Sequence, residues 1–209
     1  MRRWILTLLL GCGLAMSAGA QDADSDPQAV VRETTREVLA ALETHREEIQ
    51  GDPRAVYRYV ADLVLPRFDF ELMSRFVLGR HWQDASADQQ QRFVEEFRRL
   101  LVRTYGTSLS EYSGQEVEFP AARTEGQGKR VSVPTEVVQD KGPNIPVDYK
   151  LYRNESGAWK VFDVVIDGVS LVQNYRSSFG TDVSRNGLDA LIERLAKRNA
   201  ERGVPGSDD

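Results

Sequence analysis

The chain has 209 residues, 41% hydrophobic and 28% charged, with 27 Lys and Arg against 32 Asp and Glu and a single cysteine. A net charge of −5 is repelled by phosphate backbones and anionic head groups, which argues against nucleic acid and against non-specific adhesion to a membrane surface. One cysteine excludes a disulfide framework within the chain.

Residues 1–20 differ in character from the rest of the chain. Arg2 and Arg3, the apolar run Trp4 to Leu10 and the small-residue site Ala18-Gly19-Ala20 form a secretory signal pattern, with cleavage expected after Ala20. Leu9-Leu10-Gly11-Cys12 is the alternative, a lipobox that would anchor Cys12. Cleavage leaves 189 residues with 25 basic and 32 acidic side chains, net −7 and no cysteine. The expected organisation is a signal peptide over 1–20, one domain over 21–200 and a disordered tail over 201–209.

Asp26-Pro27 and Asp52-Pro53 each set a capping acid before a Pro at the first helical position. The first helix should carry Val31, Thr34, Val38, Leu42, His45 and Ile49 on one face and end at Gly51. The second should carry Val56, Tyr57, Val60, Leu63 and Val64 and stop at Pro66. A short helix from about Asp69 bears Leu72, Met73, Phe76 and Val77, with Gly79 as its stop. Ser86 and Gln89 form a capping box ahead of the longest amphipathic helix, with Phe93, Val94, Phe97, Leu100, Leu101, Tyr105, Leu109 and Tyr112 on one face.

From about residue 115 the period falls from 3.6 to 2. Val117 and Phe119 begin a strand. Arg130 to Val138 and Ile145 to Arg153 alternate, and Trp159 to Val165 places Trp159, Val161, Asp163 and Val165 on one face. Turn clusters at 125–128, 141–144 and 154–157 make this an antiparallel meander of about four strands. Two helices come next, from about Val169 to Phe179 and from about Asn186. The fold class is α+β, with about six or seven helices around the sheet.

Most catalytic chemistry is absent. His45 and His81 stand 36 residues apart without metal-ligand spacing, and no nucleophile elbow, phosphate-binding loop or dinucleotide glycine pattern occurs. The remaining acid/base candidates are Asp163 and Asp167, which keep an isomerase or dehydratase reading open, with His81 as a partner. Asp163 reads better as a hydrogen-bonded strand-end acid. Phe76, Phe93, Phe97, Tyr105, Tyr149 and Tyr152 with the Val-rich strands either fill a dry core or line a cavity, and composition does not separate the two.

Three groups of segments, taken together, resemble one family. They are Phe68-Asp69-Phe70 with Met73-Ser74-Arg75 and Leu78-Gly79-Arg80-His81-Trp82; Gln90 and Phe93 to Phe97, Leu100, Leu101 and Tyr105; and Val147-Asp148-Tyr149, Trp159 to Val164, Asp167 to Leu171 and Asn174 to Phe179. In this order, from about residue 28 to 198, they resemble the toluene-tolerance/MlaC family of periplasmic phospholipid-binding proteins. Asp167 stands where Glu is expected.

The resemblance implies a helix-wrapped antiparallel sheet that encloses an apolar lipid pocket, holds the acyl chains of a glycerophospholipid as cargo, and needs no cofactor or metal. It implies a monomeric, non-enzymatic periplasmic shuttle. Its implied partners are an outer-membrane lipoprotein–porin complex and the inner-membrane MCE-domain protein of an ABC transporter. Under it, Phe97, Leu101, Tyr105, Val133, Val147, Tyr149, Val161 and Val169 are taken as pocket lining, with plain core packing as the alternative for each. Tyr175 and Arg176 are taken for the mouth, where an Arg can meet a phosphate; a surface ion pair is the alternative for Arg176. The leader makes a prediction of its own: intact mass from a periplasmic extract should match residues 21–209, and a diacylated Cys12 in the membrane fraction would contradict it.

Overall fold

A computed structural model describes residues 26–52, 55–110, 112, 114–125 and 129–201. The expected leader, Pro53 and the tail from residue 202 lie outside these. Within them are eight α-helices and six strands, in the order helices, sheet, helices.

Helix α1 (Pro27–Thr44) starts as its sequence dictates, with Asp26 accepting from the Gln28 amide at 3.0 Å and Pro27 at the first position. It stops at Thr44, short of the expected Gly51. His45 leaves the helical conformation, its ring stacks on Tyr59 at 4.6 Å, and α2 (Arg46–Gly51) begins after it. The second expected helix is also divided. α3 (Ala55–Tyr59) runs into a π-helical turn at Val60–Val64 and a 3-10 turn at Leu65–Arg67. Pro66 explains this, since it donates no amide and its ring clashes with the carbonyl four residues back. α4 (Phe70–Leu78) is capped by Asp69, which accepts from the Leu72 amide at 2.8 Å, and Gly79 ends it at φ 56°. α5 (Arg80–Asp84) leads to α6 (Ala87–Ser110), where Ser86 and Gln89 make the reciprocal capping-box bonds at 3.0 and 3.2 Å.

The long strands β3 (Arg130–Val137), β4 (Ile145–Arg153) and β5 (Trp159–Ile166) form an antiparallel meander. Short strands β1 (Val117–Glu118) and β2 (Arg123–Glu125) pair with β3, and β6 (Val169–Ser170) pairs with β5. The expected helix start at Val169 is thus a strand, entered by a tight turn at Asp167-Gly168 with φ of 49° and 78°. Two consecutive left-handed residues suit a tight hairpin, and Asp tolerates that conformation better than a longer side chain. That explains Asp at the position where Glu was expected.

One register fact corrects the strand reading. Leu151 pairs with Val161 while Lys150 pairs with Asp163, so Phe162 is an extra residue in β5. The bulge puts Val164 and Ile166 on the face of Val161, opposite Tyr149 and Val147. Asp163 and Val165 move to the other face, against the simple alternation. There Phe162 meets Phe76 of α4 at 5.9 Å and Tyr152 at 6.1 Å, and the Tyr152 hydroxyl donates to Asp69. Asp163 accepts from Ser170 Oγ at 2.6 Å and from the Val172 amide at 3.1 Å, fastening α7 (Leu171–Asn186) to the sheet.

Three apolar clusters result. α4, α6, α7 and α8 (Leu188–Glu201) share a core around Phe93, Phe97, Met73 and Leu191. α1 to α3 and the end of α6 share another around Val38, Leu42 and Val56. The third joins Val30 and Val31 of α1 to the apolar face of the sheet. Asn199 ties α8 to α6 from inside, donating to the Glu96 carbonyl and carboxylate at 3.0 and 2.7 Å. Asp163 generates a stability prediction. Asp163→Ala removes a helix-start acceptor and should cost about 1–2 kcal/mol in urea unfolding, with Asp163→Asn recovering most of it. Equal stability of both variants and the parent would contradict the fastening role.

Candidate functional site: the apolar face of the sheet

Burial falls along this face, later on β3 than on β4. At one end Leu151 is 0% and Val161 3% exposed, and in the next row Val133 and Val164 are buried on either side of a half-buried Tyr149. In the row after that Thr135 is buried, while Val147 and Ile166 are half-buried. At the far end Ile145 is 38% and Val169 55% exposed, the only exposed large hydrophobics among the described residues. Their side chains share the face, because Val137 pairs with Ile145 and Ile166 with Val169. The apolar surface therefore packs against α1 and Phe68 and runs out to exposed side chains.

Tyr149 is informative here. It retains accessible surface, yet desolvation alone pushes its phenol above the usual range. Tyr105, half-buried, belongs to both the helical core and the sheet cluster. Burial raises its phenol to about 12, and contact with the Tyr175 hydroxyl adds to the rise. Thr135 sits on the same face with its hydroxyl donated to the Val147 carbonyl at 2.9 Å, so its polar group does not interrupt the surface there. At the β3 edge, Arg32 covers the Phe119 ring at 4.8 Å.

Among the residues taken as pocket lining, Val133, Val147, Tyr149, Val161 and Val169 lie on this one face. Tyr105 stands at its border. Phe97 and Leu101 lie in the helical core, Phe97 with its ring 5.7 Å from Phe93 and 5.3 Å from Tyr175. Tyr175 thus packs inside the helix layer. Arg176 is exposed on α7, donating to the Phe76 carbonyl at 3.4 Å and lying over Gly79, where a Cβ would come within 3.2 Å of its guanidinium. Val164, Ile166, Ile145 and Phe119 belong to the face beyond the expected set. The first two were hidden by the bulge, whereas Ile145 had the alternation to reveal it.

A cleft of about 490 Å³ lies on the helix layer between α4, α5 and α6, with Phe70, Trp82 and Val94 beside Glu71, Glu95 and Arg98. It has a mixed lining and no strand residue in it. His81 Nε2 is 3.4 Å from Ser184 Oγ. Among the described residues no helix is long and apolar enough to cross a membrane.

A sheet flanked by helices, with one apolar face that runs from buried to exposed side chains, defines an α+β frame. The family model described as MlaC protein matches residues 32–197. The chain is 33% identical to the toluene tolerance protein ttg2D of Pseudomonas putida, over 94% of this chain and 89% of that one. It is 25% identical to the intermembrane phospholipid transport system binding protein MlaC of Haemophilus influenzae, over 93% and 92% of the two chains. A solved phospholipid-binding protein from Ralstonia solanacearum, in complex with a phospholipid, superposes with a TM-score of 0.77 at 30% identity, covering 85% of this chain and 98% of that one. The chain belongs to the MlaC family.

The burial gradient predicts opposite outcomes for one kind of substitution. Val133→Arg buries a charge where the side chain is 0% exposed and should unfold the protein. Tyr149 keeps accessible surface, so in Tyr149→Arg the charge can reach water and the fold should survive. Circular dichroism on both variants checks this, and unfolding of the Tyr149 variant would mean that its free surface leads nowhere.

Proposed function

We propose that this protein is a periplasmic phospholipid carrier. The acyl chains of one glycerophospholipid lie along the sheet face of Val133, Val147, Tyr149, Val161, Val164 and Ile166, with Tyr105 at the border. Val169 belongs to the rim of that pocket. The protein takes lipid from, or gives it to, an outer-membrane lipoprotein–porin complex and an inner-membrane MCE-domain protein of an ABC transporter. It acts as a monomer after removal of its leader and catalyses nothing. The single observation that carries the reading is the passage of one continuous apolar face from full burial to exposure, in a chain of the MlaC family.

The energetics favour a carrier with partners. One CH₂ gains about 0.8 kcal/mol on leaving water, so two chains of roughly sixteen carbons gain on the order of 25 kcal/mol gross. A bilayer offers the same gain. A pocket that only matches the bilayer has to be loaded and emptied where the chains are shielded during transfer. The enzyme alternative finds less support, because both carboxylate oxygens of Asp163 hold Ser170 and the start of α7.

Native mass spectrometry of the protein as purified, with organic extraction afterwards, tests the proposal. The expected result is an adduct of phospholipid mass that is recovered in the extract. Protein that carries no lipid and takes none up from mixed micelles would overturn it. In the same measurement, Tyr149→Arg is expected to be folded and lipid-poor.

A further inference from the structure

Resting on the carrier reading, we propose that Tyr149 and Thr34 donate their hydroxyls to the ester carbonyls of the bound glycerophospholipid, so that the protein selects acyl-ester lipids over their ether-linked counterparts. Hydroxyls on and beside the apolar face fall into two groups. Thr135, on the face itself, donates to the Val147 carbonyl at 2.9 Å. Thr35 of α1 takes the ordinary helical route and donates to the Val31 carbonyl at 2.8 Å. Two other hydroxyls have no such bond.

One belongs to Tyr149, in the middle of the face. Val133 and Val164 stand beside it across the strands, and Val147 and Leu151 precede and follow it on β4. It retains accessible surface, and burial alone raises its phenol, without a hydrogen bond from a described residue. The other belongs to Thr34. It follows Val31 by three residues and Val30 by four, so it shares the side of α1 that packs against the sheet. Its Oγ1 is buried and has no hydrogen-bond partner among the described residues. Buried polar groups nearly always have a partner, so an exception on a cargo-binding face points to an acceptor that the cargo brings.

The surroundings decide which acceptor. A phosphate needs a cation or several donors, and the neighbours of Tyr149 on the face are Val133, Val147, Leu151 and Val164. A desolvated anion would be unmatched among them. Alkyl chains have no acceptor. The ester carbonyls are neutral, and they enter an apolar site together with the chains they carry. A phenol raised above its usual range stays protonated across the physiological range and keeps its donor. Two donors then meet the two carbonyls of a diacyl lipid, and the head group is left unread.

The test offers the full mature protein, stripped of lipid in detergent, an equimolar pair in the same mixed micelles. The pair is dipalmitoyl phosphatidylcholine and its dihexadecyl ether analogue, which has the same head group and matching chains and lacks both carbonyls. Bound lipid is extracted, and the ratio is read by mass spectrometry. The parent should load the ester about tenfold over the ether, at roughly threefold for each hydrogen bond. Tyr149→Phe and Thr34→Val, which remove a hydroxyl and keep the shape, should each reduce the ratio to about threefold, and the double variant to about one. Circular dichroism confirms that each variant is folded. Tyr152→Phe removes a hydroxyl from the opposite side of the sheet, where it donates to Asp69, and should keep the parent ratio. Equal loading of ester and ether by the parent would overturn the proposal, as would an unchanged ratio in the double variant. A ratio unmoved in one single variant would overturn that residue's part. Equal loss in Tyr152→Phe would trace the ratio to stability and overturn it too. A parent that takes up neither lipid would instead strike the carrier reading on which this rests.

Discussion

The sheet depends on a single inserted residue. Phe162 has no partner across the strand pair, and its insertion changes which side chains of β5 look inward. Had the alternation continued unbroken from Val161, a carboxylate at 163 would face the apolar surface, and Val164 and Ile166 would face α4 and α7. Burying an unpaired carboxylate costs several kcal/mol. The bulge turns that cost into two uses. The apolar face gains Val164 and Ile166, and Asp163 becomes the acceptor that starts α7. Bulges also bend a strand and increase its twist, so the same insertion helps curve β5 around the face it completes.

A carrier has to reconcile two demands that ordinary cores do not meet together. Close packing gives stability, and it leaves no room for cargo. Here the demands are divided among regions. The helical core around Phe93, Phe97 and Leu191 and the cluster around Val38 and Val56 are closed, and they hold fully buried side chains. The sheet face is packed against Val30, Val31 and Phe68 in its buried part and runs on to half-buried and exposed side chains. Tyr105 and Phe68 belong to both the helical and the sheet clusters, so they border the division. Burial raises the Tyr105 phenol and its contact with Tyr175 adds to the rise, so this large ring stands at the apolar border with its hydroxyl kept neutral.

Signals that act over a few residues were legible in the sequence. The Asp26-Pro27 start, the Ser86–Gln89 capping box and the Gly79 stop all appear as the spacing dictated. So do β3, β4 and the α+β order of elements. What escaped were features set by contacts distant in the chain. The break at His45 depends on Tyr59, fourteen residues on. The bulge depends on the register between β4 and β5, and a hydrophobic run such as Val161 to Ile166 is compatible with either parity. Strand β6 has only two residues, too few for a period to be seen. The same cause moved site residues: Phe97 and Leu101 share a helix face with Tyr105, and only tertiary packing sends the first two into a closed core and the third to the border.

Charge and apolarity act at different stages of the proposed cycle. Since the pocket and a bilayer offer nearly equal hydrophobic gains, equilibrium between them is close to balanced, and the free-energy barrier of exposing the chains to water governs the rate. Lowering that barrier requires an apolar surface that is continuous from pocket to recipient, which Ile145 and Val169 begin. It also requires that the surfaces meet in the right orientation and then part. Electrostatic attraction is suited to this, because it acts over about 8 Å at physiological salt and adds little to the lifetime of a solvated contact. An acidic carrier is thereby kept off anionic bilayers while it diffuses, and handover is left to surfaces at which its cargo stays shielded.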